Sequence, residues 1–181
     1  MAVMGGSVAR RYARALFGIG VDGRRFEALG AELNELATLW NDSDELRQAL
    51  ENPVFRPEQK RAVLESILPR VAPTPEVQRF VLLLLDRRRI MLLPAIARAY
   101  RDLTDAELGQ VRAEVTSAQE LAPATLDRVR RSLEQRTGKK VIVTSKVDPE
   151  LIGGLVARVG DLVLDGSVRT QLDDLRNRLL N

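Results

Sequence analysis

The sequence LIGGLVARVGDLVLDGSVR, at positions 151–169, contains the pattern that decides the fold of the C-terminal third of this chain. Two apolar runs, Leu155–Val159 and Leu162–Leu164, flank the pair Gly160-Asp161. Glycine tolerates the positive φ that a tight turn requires, so this arrangement predicts a two-residue β-hairpin. Asp165-Gly166 then predicts the end of the second strand.

An amphipathic helix is predicted to close the chain after this hairpin. Ser167 and Thr170 are both candidates for its N-cap, because a hydroxyl oxygen accepts a hydrogen bond from the first free N–H groups of a helix. Its apolar face is predicted from the helical spacing of Val168, Leu172, Leu175 and Leu179. No side chain in this stretch is an obvious catalyst.

The composition of the whole chain excludes several kinds of chemistry. Hydrophobic residues make up 45% of the 181 residues and charged residues 29%, which is typical of a globular protein with one large or two small domains. Aromatic residues are only 4%, so the core must consist of Leu, Val, Ile and Ala, as in packed helices. The sequence has no Cys and no His. Disulfides, thiolate nucleophiles, Cys- or His-ligated metals and Ser-His-Asp catalysis are therefore excluded.

The charge balance indicates no particular partner. The net charge of +3 comes from 28 basic and 25 acidic residues, which is too even to indicate a nucleic-acid surface by itself. No apolar run approaches the roughly 18 residues of a transmembrane helix. The first residues also lack the basic start and long apolar run of a secretory signal, so we expect the protein to stay where it is made.

Apolar periodicity predicts six helices in the first 108 residues, and hence a compact helical bundle. The predicted ranges are 7–19, 24–40, a short helix around 46–50, 57–68, 75–87 and 91–108. Ser7 is the expected N-cap of the first helix, and Pro57 occupies the expected first position of the fourth. The stretch from Pro69 to Pro75 is predicted to be a loop.

The first and fifth of these helices have more apolar surface than one buried face requires. The first has two stripes, one of Ala9, Ala13, Leu16 and Phe17, and another of Val8, Tyr12, Ala15 and Ile19. The fifth has a core face of Val77, Phe80, Val81 and Leu84, with further leucines at positions 82, 83 and 85. Such helices either lie centrally in a bundle or line a docking groove.

The pattern changes after residue 108. Residues 109–117 and 139–147 are predicted strands, and residues 123–136 between them form a predicted amphipathic helix. The hairpin and the closing helix follow. The predicted fold is therefore α+β, with an N-terminal six-helix bundle at 1–106 and a small α/β domain at 107–181.

Two glycine motifs raise the alternative of a nucleotide-binding regulatory protein. Gly18–Gly23 matches GxGxxG, but a dinucleotide site needs a strand before the glycines, and a helix is predicted there; a helix end with a linker is favoured. Gly138-Lys139 is not a P-loop, because Leu133 replaces the upstream glycine and Lys140 replaces Ser or Thr.

Charged groups raise a second alternative, a nucleic-acid-binding accessory protein. The Arg clusters at Arg10, Arg11 and Arg14 and at Arg87–Arg89 would serve it, although a solvated helix end is the favoured explanation of the latter. The candidate acid–base groups are carboxylates, mainly Asp161, Asp165, Asp148 and Glu150. Because Asp is favoured in turns, we expect turn roles and no catalytic residue.

Two segments resemble the delta subunit of F-type ATP synthase, the oligomycin-sensitivity-conferring protein (OSCP) of mitochondria. Residues 8–17, VARRYARALF, are similar to its opening helix. Gly153-Gly154, Val159-Gly160-Asp161 and Asp165–Arg169 with Leu172 resemble its C-terminal signature. The length and the order of the two predicted domains also agree with this family, so the resemblance covers the whole chain.

The resemblance implies a non-catalytic stator subunit without a cofactor or metal. Such a subunit links the α3β3 catalytic head to the b subunits of the peripheral stalk, so that proton-driven rotation is coupled to ATP synthesis. It implies a peripheral position on the cytoplasmic face of a bacterial membrane, with no membrane insertion, no nucleic acid and no homo-oligomer. The N-terminal helix of an α subunit is expected in a groove between helices 1 and 5, and the b subunits at the C-terminal domain.

The implied contacts define two sets of candidate residues. The groove for the α helix is expected to be lined by Tyr12, Ala15, Ile19, Arg79, Leu82 and Leu83. The residues expected to shape the stalk-side domain are Gly153, Gly154, Gly160, Asp161, Asp165, Gly166, Ser167, Arg169 and Leu172.

Overall fold

The computed structural model describes residues 2–149, 151, 153–160 and 162–168. The chain divides into two compact units, Met1–Thr104 and Asp105–Asn181, which are called the N-terminal and C-terminal units below. The architecture is α+β, as the sequence predicts.

The N-terminal unit is helical. Its elements are α1 (Ala2–Asp22), α2 (Phe26–Asp42), α3 (Asp44–Glu51), α4 (Pro57–Val71), α5 (Pro75–Asp86), a 3₁₀ turn (Ile90–Leu92) and α6 (Leu93–Glu107), the last of which ends in the C-terminal unit.

One stripe of each predicted helix forms the core of this unit. Ala9, Ala13 and Leu16 of α1 are buried, at the i, i+4, i+7 spacing of one helical face. The predicted core face of α5, Val77, Phe80, Val81 and Leu84, is confirmed as buried.

The predicted ends of the first helix are wrong. The helix begins at Ala2 and continues to Asp22, so Ser7, Gly18 and Gly20 lie inside it. Gly20 is buried where α1 meets α2 and α6, and a Cβ there would lie 2.8 Å from both the Phe26 Cα and the Tyr100 hydroxyl. Glycine is thus required by close helix packing and does not end the helix. Since the GxGxxG string begins within a helix, it lacks the preceding strand that a dinucleotide site needs.

The predicted loop at Pro69–Pro75 is also shorter than expected. Helix α4 includes Pro69 and ends at Val71. The buried side chain of Leu68 holds this last turn against the core, and the N–H of Ala72 closes it with a 2.9 Å hydrogen bond to the Leu68 carbonyl.

The C-terminal unit contains a four-stranded sheet and one described helix. The strands are β1 (Gln110–Ser117), β2 (Lys140–Val147), β3 (Gly154–Val159) and β4 (Leu162–Ser167), in the order β2-β1-β3-β4. The helix α7 (Pro123–Thr137) connects the parallel pair β1 and β2, while β3 pairs antiparallel with β1 and with β4.

The core of this unit lies between α7 and one face of the sheet. It is built from alternate strand residues and the inner face of α7, namely Ala113, Val115, Leu133, Val141, Ala157 and Val159. A bidentate ion pair joins the end of α6 to β1, with the Arg112 Nε 2.6 Å from the buried carboxylate of Asp105.

The predicted hairpin is confirmed, although its second strand is longer than expected. Val159 and Leu162 are register partners on either side of Gly160. Strand β4 continues beyond Asp165-Gly166 because the pairing of Leu155 with Gly166 and of Gly154 with Ser167 extends the ladder. The predicted closing helix falls on positions from 169 onward, outside the described residues.

Candidate functional site

Tyr12 joins α1 to α5 and the turn that follows it. Its ring makes an edge-to-face contact with Phe80, with centroids 6.1 Å apart and an interplanar angle of 70°. Arg89 donates a 3.2 Å hydrogen bond from Nη1 to the Tyr12 hydroxyl, and its Cζ lies 5.6 Å from the centroid of the Tyr12 ring. Both geometries are favourable for an aromatic side chain, so Tyr12 is held from two sides.

The other predicted groove residues on α1 lie at the surface. Ala15 is exposed, and Ile19 has 53% of its surface exposed. Tyr12, Ala15 and Ile19 follow an i, i+3, i+7 spacing and therefore share a face of α1. This face differs from the buried stripe that contains Ala13.

The predicted groove residues on α5 also lie off its buried face. Arg79 is exposed, Leu83 has 42% of its surface exposed, and Leu82 is half-buried against the core. Their i, i+3, i+4 spacing places them on neighbouring positions of one helical face. The structure therefore places apolar surface outside the core on both α1 and α5, with Tyr12 between the two helices.

Arg89 contacts Tyr12 of the predicted groove but was not among the predicted residues. The sequence favoured a solvated helix end for Arg87–Arg89, and Arg87 and Arg88 are indeed exposed. Arg89 is exposed too, and it also interacts with Tyr12, which lies 77 positions away. No local pattern signals such a contact, because it depends on how α1 packs beside α5.

The predicted glycines of the C-terminal unit meet two different requirements. Gly154 and Gly160 have φ values of +82° and +57°, which residues with a side chain rarely adopt. Gly153 and Gly166 need space instead: an added Cβ would lie 3.1 Å from Val168 Cγ2 and 3.3 Å from the Leu155 carbonyl oxygen, respectively.

Of the remaining residues predicted on the stalk side, two lie on β4 and three fall outside the described residues. Asp165 is exposed on β4, and the backbone of Ser167 ends that strand. Asp161, Arg169 and Leu172 lie outside the described residues.

A groove and an exposed strand in the C-terminal unit were not predicted. On the face of the sheet that α7 covers in part, a cavity of about 400 Å³ lies between α7 and β3–β4. Val129 and Leu133 line its helix side, and Leu155 and Leu164 line its sheet side. At the edge strand β4, Leu162 and Val163 are 46% and 49% exposed. The hydrophobic character of these residues was visible in the sequence, but their exposure depends on β4 being an edge strand.

Two titratable groups of the N-terminal unit have shifted pKa values. Burial raises the pKa of Tyr100 to about 12, with a smaller effect of the Glu32 carboxylate. Its hydroxyl donates a 2.9 Å hydrogen bond to the Phe26 carbonyl, so the proton has a structural role. The pKa of Glu76 is lowered, first by a backbone hydrogen bond and then by Arg25, which lies 2.7 Å away.

Neither group lies in a cluster that resembles a catalytic centre. Within the ranges that the structure describes, no three acidic side chains come together as a metal site. In the same ranges, no helix is both long and apolar enough to span a bilayer.

Comparison with known proteins identifies one family that matches nearly the whole chain. The model of the ATP synthase delta (OSCP) subunit family matches residues 8–179. The ATP synthase subunit delta of Anaeromyxobacter dehalogenans (strain 2CP-1 / ATCC BAA-258) is 43% identical over 174 residues, covering 96% of this chain and 97% of the relative. That of Myxococcus xanthus (strain DK1622) is 39% identical over 175 residues, covering 96% of each.

The fold is also found in a solved structure. A chain in the cryo-EM structure of the Toxoplasma gondii mitochondrial ATP synthase hexamer superimposes with a TM-score of 0.74 at 23% identity, covering 96% of this chain and 97% of that one. At this identity the likeness establishes the fold, and the family follows from the sequence matches. The chain therefore belongs to the ATP synthase delta (OSCP) subunit family.

Proposed function

We propose that this subunit binds the N-terminal helix of an α subunit through α1 and α5, and the b subunits through its C-terminal unit. As a member of the delta family the protein is a non-catalytic, peripheral component of the ATP synthase stator. This role requires surfaces that hold two partners at once, and the structure offers apolar surface on each unit.

The observation that supports the first contact is the apolar surface of α1 and α5 beside Tyr12. Ile19 and Leu83 expose about half of their surface, and each belongs to a helix that already buries a separate apolar face in the core. Exposed apolar residues on adjacent helices favour an amphipathic partner helix, which buries its own apolar face in the groove. The small side chain of Ala15 leaves space for a close approach of the partner backbone.

Calorimetry with a synthetic peptide of the α N-terminus tests this contact. Leu83→Asp and Ala15→Asp are each expected to weaken binding at least tenfold, since a charge would be buried against the partner. Val147→Asp is a matched control, because Val147 is 47% exposed on β2 of the other unit. Unchanged affinity for both groove variants, with native circular dichroism, would place the α helix elsewhere.

The second contact is supported by the cavity beside β3–β4 and the exposed edge strand. Leu162 presents apolar surface at the sheet edge, and Leu155 and Leu164 continue it beside α7 on the same face of the sheet. Val163 exposes apolar surface on the opposite face of the same edge strand. An amphipathic helix of a b subunit would bury its apolar stripe in such a groove. Gly154 and Gly160 fix the hairpin that forms one wall.

A pull-down with the b subunits separates this contact from the first. Leu162→Asp is expected to reduce capture by b and to leave the α peptide affinity unchanged, whereas Leu83→Asp is expected to have the opposite effect. If Val163→Asp and Leu162→Asp both retain wild-type capture at several salt concentrations, the b contact does not involve this edge.

As a delta subunit, the protein is a peripheral part of a membrane complex. We place it on the cytoplasmic face of a bacterial membrane, which agrees with the bacterial origin of the relatives at 39–43% identity. Protease treatment of inverted membrane vesicles is expected to degrade the subunit, and protection in these vesicles but not in right-side-out ones would contradict the assignment.

A further inference from the structure

A second apolar surface lies on the N-terminal unit, around a cavity of about 430 Å³. One wall is the connection between α3 and α4, where Val54 is 80% and Phe55 is 42% exposed. The other wall is the end of α5 with the 3₁₀ turn, where Ile90 is buried and Met91 is 58% exposed. None of these residues takes part in the contacts proposed above.

The connection between α3 and α4 holds its apolar residues outward. Its turn is closed by the side chain of Asn52, which accepts a 2.9 Å hydrogen bond from the N–H of Val54. The Asn52 carbonyl accepts a second bond, of 3.3 Å, from the N–H of Phe55. An ordered turn that exposes two apolar side chains is unfavourable in water, so a partner that covers them would gain free energy.

The charges around the cavity favour an acidic partner. Three cationic side chains line it, Arg56, Lys60 and Arg88, against the two acidic residues Glu51 and Asp86. Asp86 already has a cation, Arg61, at 3.7 Å. Among the residues that the structure describes, none of the three lining cations forms an ion pair.

Arg88 has a backbone conformation that normally favours glycine. Its φ is +53°, and the turn after α5 is closed by the N–H of Arg89 bonding to the Leu84 carbonyl at 2.7 Å. This region is unfavourable for a residue with a Cβ. An arginine that lines the cavity therefore occupies a position where glycine would be more stable.

From these observations we propose that this surface binds an amphipathic helix with acidic residues beside its apolar stripe. The cavity is about three times the roughly 150 Å³ that accommodates one benzene-sized group. It thus has room for the three apolar side chains that one helix face presents over two turns.

Two other occupants fit less well. A small ligand would remain open to water beside Val54 and Met91, whereas ligand pockets bury most of their ligand. A second copy of the chain would bring the cations of two identical surfaces together across a two-fold axis.

Binding of designed peptides to the full chain tests the proposal. The probes are an 18-residue helix with leucines at i, i+3, i+4 and i+7 flanked by glutamates, and the same helix with lysines in place of the glutamates. Fluorescence anisotropy is expected to show that the chain binds the glutamate peptide at least tenfold more tightly. Equal affinity for the two peptides would overturn the charge argument.

Arg88→Gly separates binding from folding. It removes a cation at a positive φ, so we expect about fivefold weaker binding of the glutamate peptide without a lower melting temperature. Arg24→Gly is the matched control, since Arg24 is exposed with a φ of +52°. Its neighbour Arg25 pairs with Glu76 in the first turn of α5. The opposite end of α5, which lines the cavity, is about 18 Å away along the helix. An equal loss of binding in both variants would contradict the proposal.

The location of the peptide is tested with cysteine labelling and with a groove variant. The sequence has no Cys, so Met91→Cys creates a single thiol. The glutamate peptide is expected to slow its reaction with a maleimide, and Leu83→Asp is expected to leave this protection intact. If Leu83→Asp abolishes binding while Phe55→Asp has no effect, the peptide binds between α1 and α5 and the proposal is wrong.

Discussion

The ring of Tyr12 on α1 stands edge-on to the ring of Phe80 on α5, with centroids 6.1 Å apart. Phe80 is buried and Tyr12 is half-buried, so this contact marks the border between the core of the bundle and its surface. The faces of α1 and α5 that we propose to bind the N-terminal helix of the α subunit begin at this border. Any change at Tyr12 therefore affects both the stability of the bundle and the shape of the proposed groove.

Tyr12→Ala is expected to lower the free energy of unfolding by about 1–3 kcal/mol, because it removes the ring contact and buried apolar area. Tyr12→Phe keeps the ring and removes only the hydroxyl that accepts from Arg89. It should cost less than about 1 kcal/mol. Chemical denaturation of both variants measures the difference, and equal losses would mean that the ring contact adds little.

Gly20→Ala and Gly18→Ala are expected to have opposite effects within one helix. A Cβ at Gly20 would lie 2.8 Å from the Phe26 Cα, so the backbones must separate at a cost of about 1–3 kcal/mol. A Cβ at Gly18 meets nothing within 4 Å, and alanine there should add up to about 1 kcal/mol of helix stability. Thermal unfolding of the pair checks this prediction, which fails if both variants shift in the same direction.

Gly160→Ala is expected to destabilise the protein by about 1–2 kcal/mol, although the site has space for a methyl group. The cause is its φ of +57°, which is unfavourable for a residue with a Cβ. Gly160→Asn is the control, since asparagine tolerates this region better and should restore part of the loss. An unchanged melting temperature for Gly160→Ala would show that the turn adapts without strain.

The stability of the protein is expected to fall at high pH because of Tyr100. Its pKa is about 12 in the folded protein and about 10 when unfolded, so the folded state favours the protonated phenol. This contribution is complete below pH 10 and is lost as the pH rises towards 12. Tyr100→Phe should remove that part of the pH dependence.

The same variant loses the hydrogen bond to the Phe26 carbonyl, so it is expected to be about 1 kcal/mol less stable at neutral pH. Denaturation curves of the two proteins between pH 8 and pH 12 are compared. Parallel curves over that range would contradict a role of this phenol.

Much of the fold could be predicted because local patterns govern it. The i, i+3, i+4 spacing identified the helices and the buried face of α5 that contains Phe80. Glycine between two β-rich runs identified the hairpin of β3 and β4. The role of Gly20 could not be predicted in this way. In the sequence, glycine indicates a helix end, whereas the close approach of Gly20 to Phe26 depends on the neighbouring helix.

The sites could be predicted only in part. The sequence predicts Leu83 in the groove because the apolar face of α5 is wider than a core requires. The structure shows that Leu83 is exposed, and its contact with a partner stays a prediction. Arg89 and the surface at Phe55 and Met91 were missed. Each depends on which elements lie side by side, and the sequence separations are too long for any periodic pattern to indicate them.

The amino-acid sequence alone establishes the α+β fold class, the lack of Cys- and His-based chemistry, and the family to which the chain belongs. These properties follow from residue types and from spacing within single helices and strands. Three features are visible only in the folded structure: Arg89 interacts with Tyr12, α1 continues through Gly20, and β4 is an exposed edge strand. The physical reason is that packing joins residues far apart in the chain, and local spacing carries no record of those contacts.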